Sequence, residues 1–561
     1  MMKPTRTLAL AAALIGASGA LMPLQAQTKP EDKVKVKVRI GPEQKPDATL
    51  EPHAVFRSSP AALMVMRSPE FGARSHVKKG PRIDVYDYEK LMHERSVEPV
   101  MKRMGQEQLL LDDLVRFNGR PVMIARNRRD DEVALFYQYL DPHLTRQPPA
   151  FDPICSFPVQ AKVFKTSVEK PGTPTRDPFR TAVARDSSHM LIHGPHMVDP
   201  NGSAFRLLVA VDRQMNPVWQ HVLRLDARAE RSEVLDAAID EKGAAYVLLR
   251  SRAKGRPYWG GASTYEVVLH RIDAADIATM SVALPDGTQP TGGILRDHGQ
   301  GIVWAGIYAA PGEGSGSLQG NFVATVTPDS TGALPARWLP FSGESLSAQE
   351  ISERNEAVEV AEEGDDEEDG GKKKKADKRL DWVTDVIDLL PRGDGGWFIV
   401  NEVGFVVSRI DPETRRARRT FYHGPVLARS FDKDWNQRWA TLCQRWVASG
   451  SPVTGRLLSA VFDKLLYLLM IDSDEFAERR KLKEPITPKT SATPQTVYAF
   501  FDEKGGFRTK AVLKGESARD FIGGWGLVRT GKNQYVAFGA DNMGGGRYLP
   551  VRFDLSKDER K

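Results

Sequence analysis

Residues 206–225, RLLVAVDRQMNPVWQHVLRL, decide the fold. They read as one hairpin: a strand over 206–211, an Asp-led polar turn from Asp212, and a second strand carrying Trp219. Strand residues point alternately to two faces, and Asp, Asn and Pro in the gap are turn-forming residues. The hairpin returns at 428–442 as ARSFDKDWNQRWATL, with Asp432 and Trp439 at the same interval as Asp212 and Trp219. Looser copies are YQYLDPHLTRQ (137–147), VLHRIDAADIATMSVAL (268–284), VATVTPDSTGALPARWL (323–339), VVSRIDPETRRARRTFY (406–422), YAFFDEKGGFRTKAVL (498–513) and YLPVRFDLSKDE (548–559).

A second signature precedes most of these hairpins: a short apolar strand, a polar turn and another apolar strand. It occurs as LVRFNGRPVMIARN (114–127), AVARDSSHMLIHG (182–194), AAIDEKGAAYVLLRS (237–251) and GILRDHGQGIVWAGIY (293–308). It continues as DLLPRGDGGWFIVNE (388–402), LLSAVFDKLLYLLMI (457–471) and GLVRTGKNQYVAFGA (526–540). Each unit is then two hairpins, hence four strands, recurring roughly every 50–80 residues. Helical periodicity is nearly absent, and its best candidate is 88–104. A lone four-stranded sheet leaves apolar faces uncovered, and radial stacking of such sheets covers them. The chain therefore reads as an all-β protein, a β-propeller of about seven four-stranded blades. Eight is the alternative, in which residues 51–100 supply a blade of their own. In the seven-blade reading they complete the last blade, whose fourth strand is missing after Leu555.

Through these repeats, over about residues 51–555, the chain resembles exported bacterial β-propeller proteins, a class defined by architecture. The resemblance implies a rigid ring with loops on two faces. It leaves activity open, because propellers host hydrolases, lyases, dehydrogenases and binding platforms alike.

The N-terminus, MMKPTRTLALAAALIGASGALMPLQAQ, places Lys3 and Arg6 ahead of an apolar run and ends in small residues at Leu24-Gln25-Ala26. That is the pattern of a Sec-type signal peptide over residues 1–26. No Cys lies at its exit, so no lipid anchor is expected, and the mature protein is expected in the periplasm or secreted. No other stretch reaches ~18 apolar residues, so no transmembrane segment is expected. The formal charge of +6, or +4 without Lys3 and Arg6, gives no reason to expect nucleic acid as a partner. Residues 27–50 read as a linker or an exposed edge strand, and 51–561 as a single propeller domain. A charged insertion at about 342–380 and a long loop at about 472–495 interrupt it. The insertion carries seven acids within 362–369, followed by a basic block, a composition too polar to order itself. Cys155 and Cys443 fall in distant repeats. A disulfide requires Cα atoms within ~7 Å, so none is expected between them.

In a propeller blade the loops between strands 2 and 3, and those between blades, share one face. The long segments are of that class: 194–204, 251–264, 309–320, 472–495, 540–547 and 342–380. Loops on a rigid scaffold carry recognition, so this face is the expected working face. Its most ligand-like loops are RAKGRPYWGGAST (252–264), with Arg256, Tyr258 and Trp259 suited to stacking on a sugar or clamping an anion, and GADNMGGGRY (539–548), with Asp541, Asn542 and Arg547. His189, His193 and His196 in SHMLIHGPHMVD are candidate metal ligands, His189 and His193 sharing a strand face. No G-x-S-x-G elbow, activated cysteine or cofactor signature is present, so no catalytic residue and no cofactor is assigned. The expected function is a non-catalytic binding or scaffold module of the cell envelope, recognising a protein or glycan. The alternative is a propeller enzyme acting on glycans or small metabolites at the channel mouth.

Overall fold

The computed structural model describes residues 34–42, 50–69, 82–99, 109–127, 132–145, 150–158, 162–163, 178–199, 201–225, 229–253, 265–299, 301–310, 318–341, 377–410, 417–449, 457–484, 486–487, 495–512, 520–521, 528–541 and 548–557. Their strands form eight sheets, each built on four antiparallel strands taken in chain order. Blades 1 to 7 span residues 50–97, 110–157, 180–224, 229–282, 294–340, 377–443 and 458–511, and blade 8 spans 528–557 together with Val34–Ile40. The first strands line up around an axis. Leu50–Arg57 lies beside Leu110–Phe117, followed by Arg180–Val183, Ala229–Ile239, Ile294–Asp297, Asp377–Pro391 and Leu458–Phe462. Val528–Gly531 then returns to Leu50–Arg57.

The core is distributed around the ring as one apolar cluster at each seam. Strand alternation explains how one blade serves two seams. In blade 1, Met64 and Met66 pack toward Met123 and Phe136 of blade 2, whereas Leu63 and Val65 pack toward Val536 and Phe538 of blade 8. Further clusters join blades 2 and 3 (Phe117, Phe179), 3 and 4 (Trp219, Val247), and 4 and 5 (Leu248, Trp304). The rest join 5 and 6 (Val303, Ile399), 6 and 7 (Phe398, Leu468), and 7 and 8 (Tyr467, Phe553).

The ring has eight blades, not seven. Residues 50–97 form a complete four-stranded blade of their own and do not finish the last one. Blade 8 is closed instead by Val34–Ile40, which pairs with the final strand from Val34↔Lys557 to Ile40↔Val551. The alternation in VKVKVRI does this physically, since Val36 and Val38 pack on the cluster between blades 7 and 8. Arg39 then bonds Glu89 of blade 1 across the seam at 2.9 Å.

The Asp-led turns are built alike. Asp212 Oδ1 accepts from the backbone N–H groups of Gln214 and Asn216, both at 2.9 Å, and Asp432 Oδ1 accepts from Asp434 and Asn436 at the same distances. Asp240 and Asp502 cap their turns in the same way. There a glycine takes the left-handed position, Gly243 at φ 85° and Gly505 at φ 83°. The tryptophans are packing groups. Trp219 donates through Nε1 to Gly243 O of the next blade at 2.8 Å, and Trp439 stacks on Phe501 of the next blade at 5.8 Å.

One local expectation is corrected. The candidate helix at 88–104 is a turn followed by the strand His93–Val97 over its described part, because His93–Val97 pairs with Ile83–Tyr86 of the strand before it. Among the described residues the helix (α1) is Asp474–Leu482, in the long loop of blade 7. Ser473 caps it by accepting from Phe476 N at 2.9 Å, and Lys483 ends it at φ 58°. Cys155 and Cys443 stand in blades 2 and 6 as free thiols, pushed up by burial to about 12 and about 11.

Candidate functional site

The turns between strands 1 and 2 and between strands 3 and 4 emerge on one face, and the longer connections on the other. Blade 6 departs furthest from the common plan on that second face. Its second strand is Trp397–Ile410, 14 residues, where the second strands of blades 3 and 7 have 5 and 8. Asp377–Pro391 and Ala417–Phe431 run alongside it for 15 residues each. The outermost strand pairs only with Val426–Phe431. Beyond that level the other three strands continue for about eight residues or ~25 Å, with the short strand Val447–Ser449 pairing Phe421–His423 at the start of that stretch.

The base of this extension is anchored by aromatic packing and buried charge. Phe405 stacks on Tyr422 at 4.4 Å and meets Trp446 at 5.3 Å, and Phe476 of α1 and Ile486 complete the cluster. Beneath it the carboxylate of Glu402 is ion-paired with Arg445, which is fully buried and also donates to Ile471 O at 2.9 Å. His423 Nδ1 lies 3.4 Å from Glu402 Oε2. Arg480 of α1 holds Asp472 and donates to Gln444 O at 2.8 Å, tying the helix to both blades. A buried ion pair costs desolvation and repays it through full hydrogen bonding, so this junction fixes position more than it adds stability.

Charged groups near the axis are joined blade to blade. In three inner strands a register shift precedes an aspartate: Asp113, Asp236 and Asp388. Asp113 Oδ2 accepts from the N–H and hydroxyl of Thr181 at 3.0 and 2.8 Å. Asp236 Oδ2 accepts from Leu295 N at 2.8 Å and Arg296 Nη1 at 3.2 Å. Asp388 accepts from Arg296 Nη2 at 2.8 Å and Ser459 Oγ at 2.5 Å. Burial raises the Asp113 and Asp236 carboxyls above their usual range. Asp112 differs from its neighbour. Its Oδ1 accepts from Phe179 N at 3.1 Å, its Oδ2 is buried without a partner, and burial pushes it up to about 6 against the pull of Arg126.

His189 goes to different surroundings from His193 and His196, which both neighbour the Arg206–Ser232 pair. His189 begins the second strand of blade 3 with Nδ1 against Ser188 Oγ at 3.0 Å, and its ring lies beside Gly243 of blade 4. His196 places Nδ1 2.8 Å from Ser232 Oγ. His193 is pulled down to about 3 by burial, with Arg206 and Arg180 adding to it. Among the described residues no three His, Cys, Asp or Glu side chains are grouped to hold a metal ion. Arg256, Tyr258, Trp259, Asn542 and Arg547 lie outside the described residues, and Asp541 ends the second strand of blade 8.

The blade-6 extension escaped the sequence reading, which took 406–422 for an Asp-led hairpin of the 3–4 type. It is the distal half of the 2–3 hairpin, and the 3–4 turn of this blade is at Asp432. The signal was present in the apolar pattern, which runs through 397–407 broken only at Asn401, Glu402 and Gly404. At Gly404 the register shifts and the strand continues.

No family model matches the chain, and no curated protein matches it. Among solved structures it is similar to the β-propeller domain of the Trilobed protease from Pyrococcus furiosus, at 9% identity and TM-score 0.33, over 84% of this chain and 97% of that one. It is also similar to the polysaccharide lyase Uly1, at 7% identity and TM-score 0.34, over 90% and 89% of the two chains. A PL25 ulvan lyase aligns at 8% identity and TM-score 0.33, over 68% and 80%. Likenesses this distant carry no activity across, so the eight-bladed ring stands on its own sheets.

Proposed function

We propose that the chain is a non-catalytic binding or scaffold propeller of the cell envelope, exported by its N-terminal signal and recognising a protein or glycan through the long-segment face. The observation that carries this reading is the blade-6 extension. A sheet that continues beyond the level of the outermost strand, fixed at its base by Glu402, Arg445 and α1, is the kind of elaboration on a rigid scaffold that carries recognition. The axial carboxylates Asp113, Asp236 and Asp388 are bound to neighbouring blades, an arrangement suited to holding a scaffold rigid. The test replaces residues 408–419 with a two-residue Asn-Gly turn joining the paired Val407 and Thr420, and compares capture from envelope extracts and on a glycan panel. Capture lost by a variant that still melts cooperatively supports the reading, and capture retained in full contradicts it.

One observation favours the second reading, an enzyme at the channel mouth. Asp112, near the long-segment end of an inner strand, has Oδ2 without a hydrogen-bond partner, and burial raises its carboxyl to about 6. Turnover of any member of the glycan panel by wild type, abolished in D112N, would establish it.

A further inference from the structure

The Asp-led turns share a backbone and differ in the side chain carried at one strained position. The residue three after the aspartate is left-handed in each: Met215 at φ 67°, Gly243 at 85°, Trp435 at 63° and Gly505 at 83°. Glycine adopts that conformation freely, whereas a bulky side chain held there costs about 1–3 kcal/mol. Met215 is 2% exposed and offsets the cost by packing in the seam between blades 2 and 3. Trp435 packs on the seam between blades 5 and 6 and yet stays partly exposed.

Trp435 meets a second indole. It stacks on Trp397, the first residue of the second strand of blade 6, at 5.6 Å and within 10° of parallel. Ring planes in contact are ~3.5–4 Å apart, so this centroid distance steps the two rings by about 4 Å, and each leaves part of a face uncovered by the other. His298, in the first turn of blade 5, stands at 89° to Trp397 and 6.2 Å from it. Both indoles of the pair are partly exposed, whereas Trp219, Trp304, Trp439 and Trp446 are each less than a tenth exposed. Seam packing accounts for those four, and leaves the exposed pair over.

Polar groups of the same turns select a ligand class. Asn436, next to Trp435, accepts from Arg337 of blade 5 at 3.1 Å. Lys433 pairs with Asp434 at 2.8 Å, and Arg438 with Asp394 at 3.1 Å. A nucleotide would stack on the indoles, but its phosphate would meet Asp434 and Asp394. A quaternary ammonium needs a cage of rings, and two near-parallel indoles make a step. A pyranose ring fits, because its C–H face lies on an indole and its hydroxyls, donors and acceptors at once, answer amide, guanidinium and carboxylate alike. We propose that Trp397 and Trp435 form a platform, on the face of the tight turns, that binds one pyranose ring of a neutral oligosaccharide. The site lies on the opposite face from the blade-6 extension and does not depend on it.

The experiment titrates the full chain with cellohexaose, mannohexaose, chitohexaose and hexagalacturonate, read by tryptophan fluorescence and calorimetry. At least one of the three neutral sugars should bind wild type. W435M, which carries the side chain that blade 3 has at this position, should bind it about tenfold more weakly while melting as wild type does. W435Y keeps a ring and should bind within about threefold of wild type. The variant lacking 408–419 should bind as wild type does, which separates failure here from failure of the long-segment face. Absence of binding by all three neutral sugars overturns the inference, and so does undiminished binding by W435M. A W435M protein that melts well below wild type overturns it too, since the indole would then be seam packing alone. Stronger binding of hexagalacturonate than of any neutral sugar, or loss of binding on removing 408–419, also contradicts it.

Discussion

The two faces of the ring solve the same problem, ending a strand, in different ways. On the tight-turn face the solution is local and repeated. An aspartate caps two backbone N–H groups of its own turn, at Asp212, Asp240, Asp432 and Asp502, and after Asp212 and Asp432 a tryptophan two residues into the following strand packs on the next blade. On the long-segment face it is non-local and differs between the blades whose contacts are described. Arg206 reaches Ser232 O and Gly194 O, Arg429 reaches Leu339 O and Pro340 O, and Arg445 reaches Glu402 and Ile471 O. A face made of repeated short-range turns builds blades. A face whose charges are placed singly can differ from blade to blade, and that is where blade 6 extends.

The largest effect should test the repeated face. Trp219→Ala and Trp439→Ala each empty an indole site that is less than a tenth exposed. Each should cost about 3–5 kcal/mol in denaturant unfolding, and the two losses should match. A loss at Trp439 far below that at Trp219 would mean that the two hairpins are not equivalent packing units.

A smaller effect belongs to the other face and carries a sign. Asp112 has a folded value of about 6 against a usual 3.8, so the folded state holds its proton more tightly than the unfolded chain. Stability from this group is therefore gained as pH falls through 6 toward 4. His193 and His270, at about 3 and about 4, act the other way, because the unfolded chain protonates them first as pH falls below 6.5. The difference between wild type and D112N isolates the aspartate. From pH 7 to pH 4 wild type should gain up to ~3 kcal/mol relative to the variant. A difference that stays constant with pH would mean that Asp112 is charged throughout.

The repeated face was legible in the sequence because its determinants are local. Asp212 and Trp219, or Asp432 and Trp439, lie within one hairpin, and their spacing alone announces it. Blade 1 was miscounted because its first turn, Ser58-Ser59-Pro60-Ala61, has neither the Asp nor the Gly that marked the other units. Ring closure was misplaced for a different reason. Val36 and Val38 show only that one side of a strand is apolar, and their partners, the residues from Val551 to Lys557, stand at the opposite end of the chain. The long-segment face was legible in where its elaboration falls and illegible in its contacts. Glu402, Arg445, Asp472 and Arg480 come together across two blades and a helix, with no spacing to signal it.

The central claim is that the distal blade-6 sheet is an appendage on a rigid ring, free to serve recognition without supporting closure. Amide hydrogen exchange on the intact chain tests it most directly. Residues 397–402 and 426–431 lie within the ring, and 406–410 with 417–421 belong to the same strands beyond it. The distal amides should exchange through an opening of clearly lower free energy than the ring amides, which should approach the global limit. Equal protection along the full length of both strands would show that the extension unfolds only with the ring, and would contradict the account.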